Sequence, residues 1–98
     1  MSGIVDKGRL IKQARGLQKE LKKHVITVET GEGAVKIEIT GEQKIKKIHI
    51  DPEAIDLDDI GQLEMWVEEA VKEAITRSQQ FAAETMRPMM GALGDLGL

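Results

Sequence analysis

The chain has no cysteine, no tyrosine, one tryptophan and one phenylalanine in 98 residues. Without thiols, disulfides, thiolate metal sites and cysteine nucleophiles are excluded. With aromatics at 2%, the core must come from Ile, Val, Leu and Ala, whose thin side chains suit helix-on-helix and helix-on-sheet packing. No apolar run approaches the roughly 20 residues of a membrane-spanning helix. Met1–Val5 is too short a leader for a signal peptide, so a soluble cytoplasmic protein is expected. The two prolines, Pro52 and Pro88, each read as the end of an element. The length suits one small domain over residues 1–88, and Met89–Leu98, MMGALGDLGL, reads as a flexible Met/Gly-rich tail.

Charge is present in both signs but is unevenly spread. Through His24 the chain carries seven Lys and Arg against two carboxylates, and from Pro52 onward three against ten. A basic arm and an acidic arm are therefore the main electrostatic features, with a nearly balanced middle. Overall the chain is acidic, at −3, yet a local basic stripe can still serve nucleic acid.

The middle is a hairpin. Val35, Ile37 and Ile39 alternate with Lys36, Glu38 and Thr40, the pattern of a strand buried on one face. Gly41-Glu42-Gln43 supplies a short turn in which Gly41 is expected to take φ > 0. Lys44–Ile50 is the next strand, stopped by Asp51-Pro52. Ile45 is out of phase with Ile48 and Ile50, so either a bulge lies near Lys46-Lys47 or Ile45 covers the other face. Val25–Glu29, followed by the turn Thr30-Gly31-Glu32-Gly33, adds a third strand. Three short strands joined by such turns make an antiparallel meander.

A helix lies on each side. After a frayed start to about Gly8, Leu10, Ala14, Leu17 and Leu21 form a narrow apolar seam ending near His24. Lys12, Arg15, Lys19, Lys22 and Lys23 fall on roughly the opposite face, and Gly16 marks a close helix contact or a tolerated weakness. Past the hairpin, Asp56 is the expected N-cap, with acidic charge in the first turn. Ile60, Leu63, Val67, Ala70, Val71, Ala74 and Ile75 form a broad apolar face that continues through Phe81, Ala82 and Met86 to Pro88. Such a helix, about 30 residues and 45 Å long, outruns the sheet. Its distal apolar surface must meet the first helix or a second copy, so a symmetric dimer is expected, with Val71, Ile75 and Phe81 as candidate interface residues. Trp66 lies off this face, either half-buried beside the core or free for stacking or an interface.

Nothing in the sequence forms a catalytic constellation. His24 and His49 are the only histidines, with no third ligand or nucleophile at a useful spacing. Gly31-Glu32-Gly33 lacks the third glycine and the following lysine or serine of a phosphate loop. The expectation is a protein that is not an enzyme, with no cofactor, metal or small-molecule substrate.

Several features coincide in order. They are Lys12-Gln13-Ala14 with Leu17-Gln18 and Leu21, the Gly31/Gly33 turn, Val35-Lys36-Ile37, Gly41 and Ile48-His49-Ile50-Asp51-Pro52. An alanine-rich helix with Val67, Ala70 and Ala74 follows, then the Met/Gly tail. Together they resemble the bacterial YbaB/EbfC family of nucleoid-associated DNA-binding proteins, from about Leu10 to the tail. Ile50-Asp51-Pro52 is the most specific part. The resemblance implies an α+β subunit (helix, three-stranded antiparallel meander, long helix) pairing into a tweezer-like homodimer whose helical arms grip duplex DNA in the nucleoid. Because the second helix is strongly acidic, the candidate DNA contacts are Arg9, Lys12, Arg15, Lys19, Lys22 and Lys23 on the first. Phosphate contacts of this kind carry little sequence preference. The alternative is a dimeric protein–protein adaptor whose long arm and Met-rich tail engage a partner without DNA.

Overall fold

Residues 2–95 are described by the structure, a computed structural model, with side chains described between Lys7 and Gly91. Helix α1 spans Ser2–Lys23, strands β1, β2 and β3 span Val25–Thr30, Val35–Thr40 and Ile45–Ile50, and helix α2 spans Ile60–Asp95. A single 3-10 turn, Pro52–Ala54, links the sheet to α2. The strands form one antiparallel sheet in the order β1-β2-β3. The α+β class and the meander agree with what the residue pattern predicts.

The sheet's apolar face is set by the alternation in β2. Val35, Ile37 and Ile39 are wholly buried with Val28 of β1, and Ala70 and Ala74 of α2 close over them. Two alanines one turn apart let the helix backbone lie close to the strands. Leu63, Trp66, Val67 and Val71 complete the contact from the helix side. Each fully buried Val or Ile contributes about 1.5–3 kcal/mol relative to exposure.

The phase of Ile45 is settled by a bulge. Ile39 pairs with Ile45 and Glu38 with Lys47, leaving Lys46 as the extra residue of β3. Ile45, Ile48 and Ile50 consequently stand opposite Ile39, Ile37 and Val35, on the same face. That face is left uncovered at β3, because α2 packs on β1 and β2. A helix about 10 Å across spans about two strands spaced 4.8 Å apart. Ile45, Ile48 and Ile50 remain 40–46% exposed.

Four local expectations are corrected. First, α1 is already helical from Ser2; once nucleated, a helix gains one bond per added residue, and Gly8 has nothing around it to clash with. Second, the α2 cap is Asp59, whose Oδ1 accepts from the Gln62 N–H at 3.2 Å. Asp56 instead accepts from the Asp58 N–H at 2.9 Å, closing a local turn. Third, α2 does not end at Pro88 but runs through it to Asp95. Pro88 is exposed, so the carbonyl its missing N–H leaves unpaired can face water. Met86 and Met89 stay half-buried on either side of it. Fourth, positive φ in the second turn falls on Gln43, at 63°, and not on Gly41.

Candidate nucleic-acid interface

Helix α1 meets the rest of the chain through a narrow seam. It ends at the β2–β3 turn, where the Gly41 N–H donates to the Leu21 and His24 carbonyls at 2.9 and 3.2 Å. A Cβ on Gly41 would lie 2.8 Å from the Leu21 carbonyl oxygen and 2.9 Å from Phe81 Cδ1. Gly41 is thus required by close approach to α1 and α2. From this root α1 packs along α2, with Leu10, Ala14, Leu17 and Leu21 half-buried and Phe81, Ala82, Met86 and Met89 half-buried on α2. The first helix thereby covers much of the apolar surface beyond the sheet. The result is elongated, 69 × 20 × 14 Å.

The other face of α1 is solvent-exposed and basic. Arg9, Lys12, Arg15, Lys19, Lys22 and Lys23 are all exposed, and among the described residues none pairs with a carboxylate at ion-pair distance. Lys12, Arg15, Lys19 and Lys22 recur at spacings of 3, 4 and 3, a ridge of about 15 Å along the axis. Lys22 and Lys23 also lie at the helix's negative end. Gly16, on the exposed side, has no atom within 4 Å of a would-be Cβ, so no close approach explains it.

Most carboxylates lie away from this ridge, although Glu20 sits exposed on α1 beside it. On α2 they concentrate in the half above the sheet, where Lys72 Nζ reaches Glu68 at 2.7 Å and Arg77 reaches Glu73 at 2.8 Å. The hydrogen bond from Lys72, and then its charge, hold Glu68 below the usual carboxylate range and Lys72 above the usual ammonium range. From Ser78 onward α2 has only Glu84 and Asp95 against Arg87. A further carboxylate comes to the ridge from outside the helix. Glu42, from the β2–β3 turn, joins Arg15, Gln18, Lys19 and Lys22 around a shallow pocket of about 320 Å³. Nothing near α1 in sequence signals its presence there, since the fold brings it in.

The three residues expected at a dimer interface occupy different settings. Val71 packs beside the core, and Ile75 is 39% exposed. Phe81 is half-buried and stacks on His24, ring centroids 3.9 Å apart and planes within 9°. The exposed stripe Ile45, Ile48, Ile50 was not singled out from sequence, although one helix over three strands foretells an uncovered strand. Trp66 lies over Gly31, whose Cβ would fall 2.5 Å from the indole, which makes it a half-buried flank of the core. His49 lies on the outer sheet face with Thr27, Lys36, Glu38 and Lys47. Among the described residues no group of three or more His, Asp or Glu is placed to hold a metal ion.

A family model for the YbaB/EbfC DNA-binding family matches residues 5–93. The chain belongs to this family. A protein named nucleoid-associated protein from Ruminiclostridium cellulolyticum is 37% identical over 94 residues, covering 89% of this chain and 82% of the relative. One of the same name from Chloroflexus aurantiacus is 32% identical, covering 87% and 85%. The crystal structure of an uncharacterized Helicobacter pylori protein superposes with a TM-score of 0.76 over 91% of each chain, at 18% identity. That likeness speaks for the YbaB/EbfC fold alone. No described helix is long and apolar enough to cross a membrane.

Proposed function

We propose that this YbaB/EbfC protein is a nucleoid-associated protein that binds duplex DNA as a homodimer with little sequence preference. The observation that carries the reading is the exposed basic ridge of α1, six cations none of which forms an ion pair among the described residues. Its side chains are Lys and Arg without an aromatic among them, so bases have no stacking platform. Contacts to phosphate position a protein on the duplex and read no sequence. Family membership and the relatives' names support the same partner.

The homodimer completes the sheet face. Ile45, Ile48 and Ile50 form a contiguous exposed apolar stripe on one strand, the kind of surface that soluble proteins cover with a partner. A second copy seated there, with Ile75 and the Val71 flank of α2, buries the stripe by two-fold symmetry. The two arms then project from one body, each bearing its ridge.

A gel-shift titration with unrelated duplexes at about 50 and 200 mM salt tests the reading. Binding that is similar across sequences and falls steeply with salt is the expected result. Absence of any shift at the lower salt overturns DNA binding and leaves the apolar stripe as the surface of a protein–protein adaptor.

A further inference from the structure

The pocket at the root of α1 holds a group that opposes the ridge around it. Arg15, Gln18, Lys19 and Lys22 line one side, and Glu42 enters from the β2–β3 turn. Glu42 Oε1 is buried and has no hydrogen-bond partner among the described residues. Among the described residues no lysine or arginine nitrogen comes within 4 Å of its carboxylate. The carboxylate is therefore not consumed by an ion pair, and it shares the pocket with three cations of the ridge. A half-buried charge of this kind is screened less than one in open solvent. The turn fixes it there: the Glu42 N–H donates to Thr40 Oγ1, and Gly41 is tied to the Leu21 and His24 carbonyls.

We propose that Glu42 is a built-in counter-charge of the α1 ridge, a positioning residue that holds Arg15, Lys19 and Lys22 back from phosphate and sets the protein's affinity for polyanions. This rests on the reading of α1 as the DNA-contacting helix. The physical logic is competition. A phosphate that approaches Lys19 or Lys22 meets repulsion from Glu42, and a lysine drawn toward the unpartnered oxygen releases no counterion from DNA. Removing the charge strengthens binding on every sequence and makes more cations available to phosphate. The consequence is a moderated grip, suited to a protein that must leave DNA as well as bind it.

The test is Glu42→Gln, which keeps the shape and the turn, compared with Glu20→Gln, which removes one charge from α1 itself, outside the pocket. Glu42→Gln should tighten DNA binding about three- to tenfold on unrelated duplexes. It should also steepen the log–log salt dependence by about 0.9 for each additional phosphate engaged. Glu20→Gln should do less in both respects. In Lys19→Gln/Lys22→Gln the gain from Glu42→Gln should shrink, which a double-mutant cycle reads directly. Where the wild type binds DNA, an equal gain from Glu20→Gln, or none from Glu42→Gln, overturns the counter-charge. A titration of the intact protein with inorganic tripolyphosphate, followed at the Arg15, Lys19 and Lys22 amides, separates the two ideas. Tighter tripolyphosphate binding in Glu42→Gln without any DNA shift in either protein keeps the counter-charge and sinks the DNA reading. Unchanged tripolyphosphate binding beside a normal DNA shift does the reverse.

Discussion

Two glycines show how the same residue type carries opposite meanings. Gly41 is buried where a Cβ would strike the Leu21 backbone and Phe81 at 2.8–3.0 Å, while Gly16 stands in an exposed helix face with open space around it. Gly41→Ala must therefore push the root of α1 off the turn and loosen the N–H bonds to Leu21 and His24. We expect a loss of about 2–4 kcal/mol, in the range of overpacking plus a lost buried hydrogen bond. Gly16→Ala should do the opposite and raise stability by up to about 1 kcal/mol, the helix-propensity gain. Thermal melts of the two variants check the contrast, and a Gly16→Ala destabilisation would show that α1 is packed against something at that face. Ser78 makes a related point. It is wholly buried, donates to the Thr40 carbonyl at 2.6 Å and accepts from both Gln43 nitrogens. Its hydroxyl thus pins the turn that carries Glu42 to α2, while the helical period alone marks it only as one more residue facing the sheet.

At the level of elements, β3 is where the subunit is incomplete. Ile48 is 46% exposed in the isolated chain, so Ile48→Lys should cost the subunit fold no more than about 1 kcal/mol. In a dimer seated on β3 the same lysine is buried without a partner, which costs several kcal/mol. Sedimentation should therefore show twice the chain mass for the wild type and the single mass for Ile48→Lys, with helix content retained. A variant that still sediments at twice the mass excludes β3 as the interface. The elements themselves were legible because their signals are local: period-2 alternation in Val35–Ile39, the Asp51-Pro52 stop, and the apolar seam of Leu10, Ala14, Leu17 and Leu21. Boundaries were less so. Between Pro52 and Ile60 lie Glu53, Asp56, Asp58 and Asp59, and local sequence cannot choose the capping one among them. The reason for Gly41, the entry of Glu42 into the basic face and the exposure of β3 arise from how α1, the sheet and α2 meet. No local pattern encodes these. The basic ridge was readable residue by residue, since an exposed helix face follows from spacing alone.

Across the whole molecule, charge and shape are arranged together. The elongated chain carries most of its unpaired cations along α1, with a smaller group at Lys44, Lys46 and Lys47, and most of its carboxylates over the sheet and the first half of α2. On the reading of α1 as the DNA-contacting helix, a duplex, uniformly negative, is attracted along one side and repelled from the acidic half of α2. This predicts where charge removal matters. Replacing Lys12, Arg15 and Lys19 together by Gln keeps helix propensity close to the original, so fold and assembly should survive. Affinity should drop alike on all duplexes, and the salt slope should flatten by about 0.9 for each phosphate no longer engaged, up to roughly 3 for each arm on the duplex. Replacing Lys44, Lys46 and Lys47 by Gln removes the same charge from the hairpin, and there the slope should change little. Gel-shift titrations over a range of salt measure both slopes. Equal losses from the two variants would assign binding to net charge and deny α1 any special place. A flattened slope for the α1 variant alone would place the bound phosphates on that helix, because distant charges alter the field around a duplex whereas only direct engagement releases its condensed counterions.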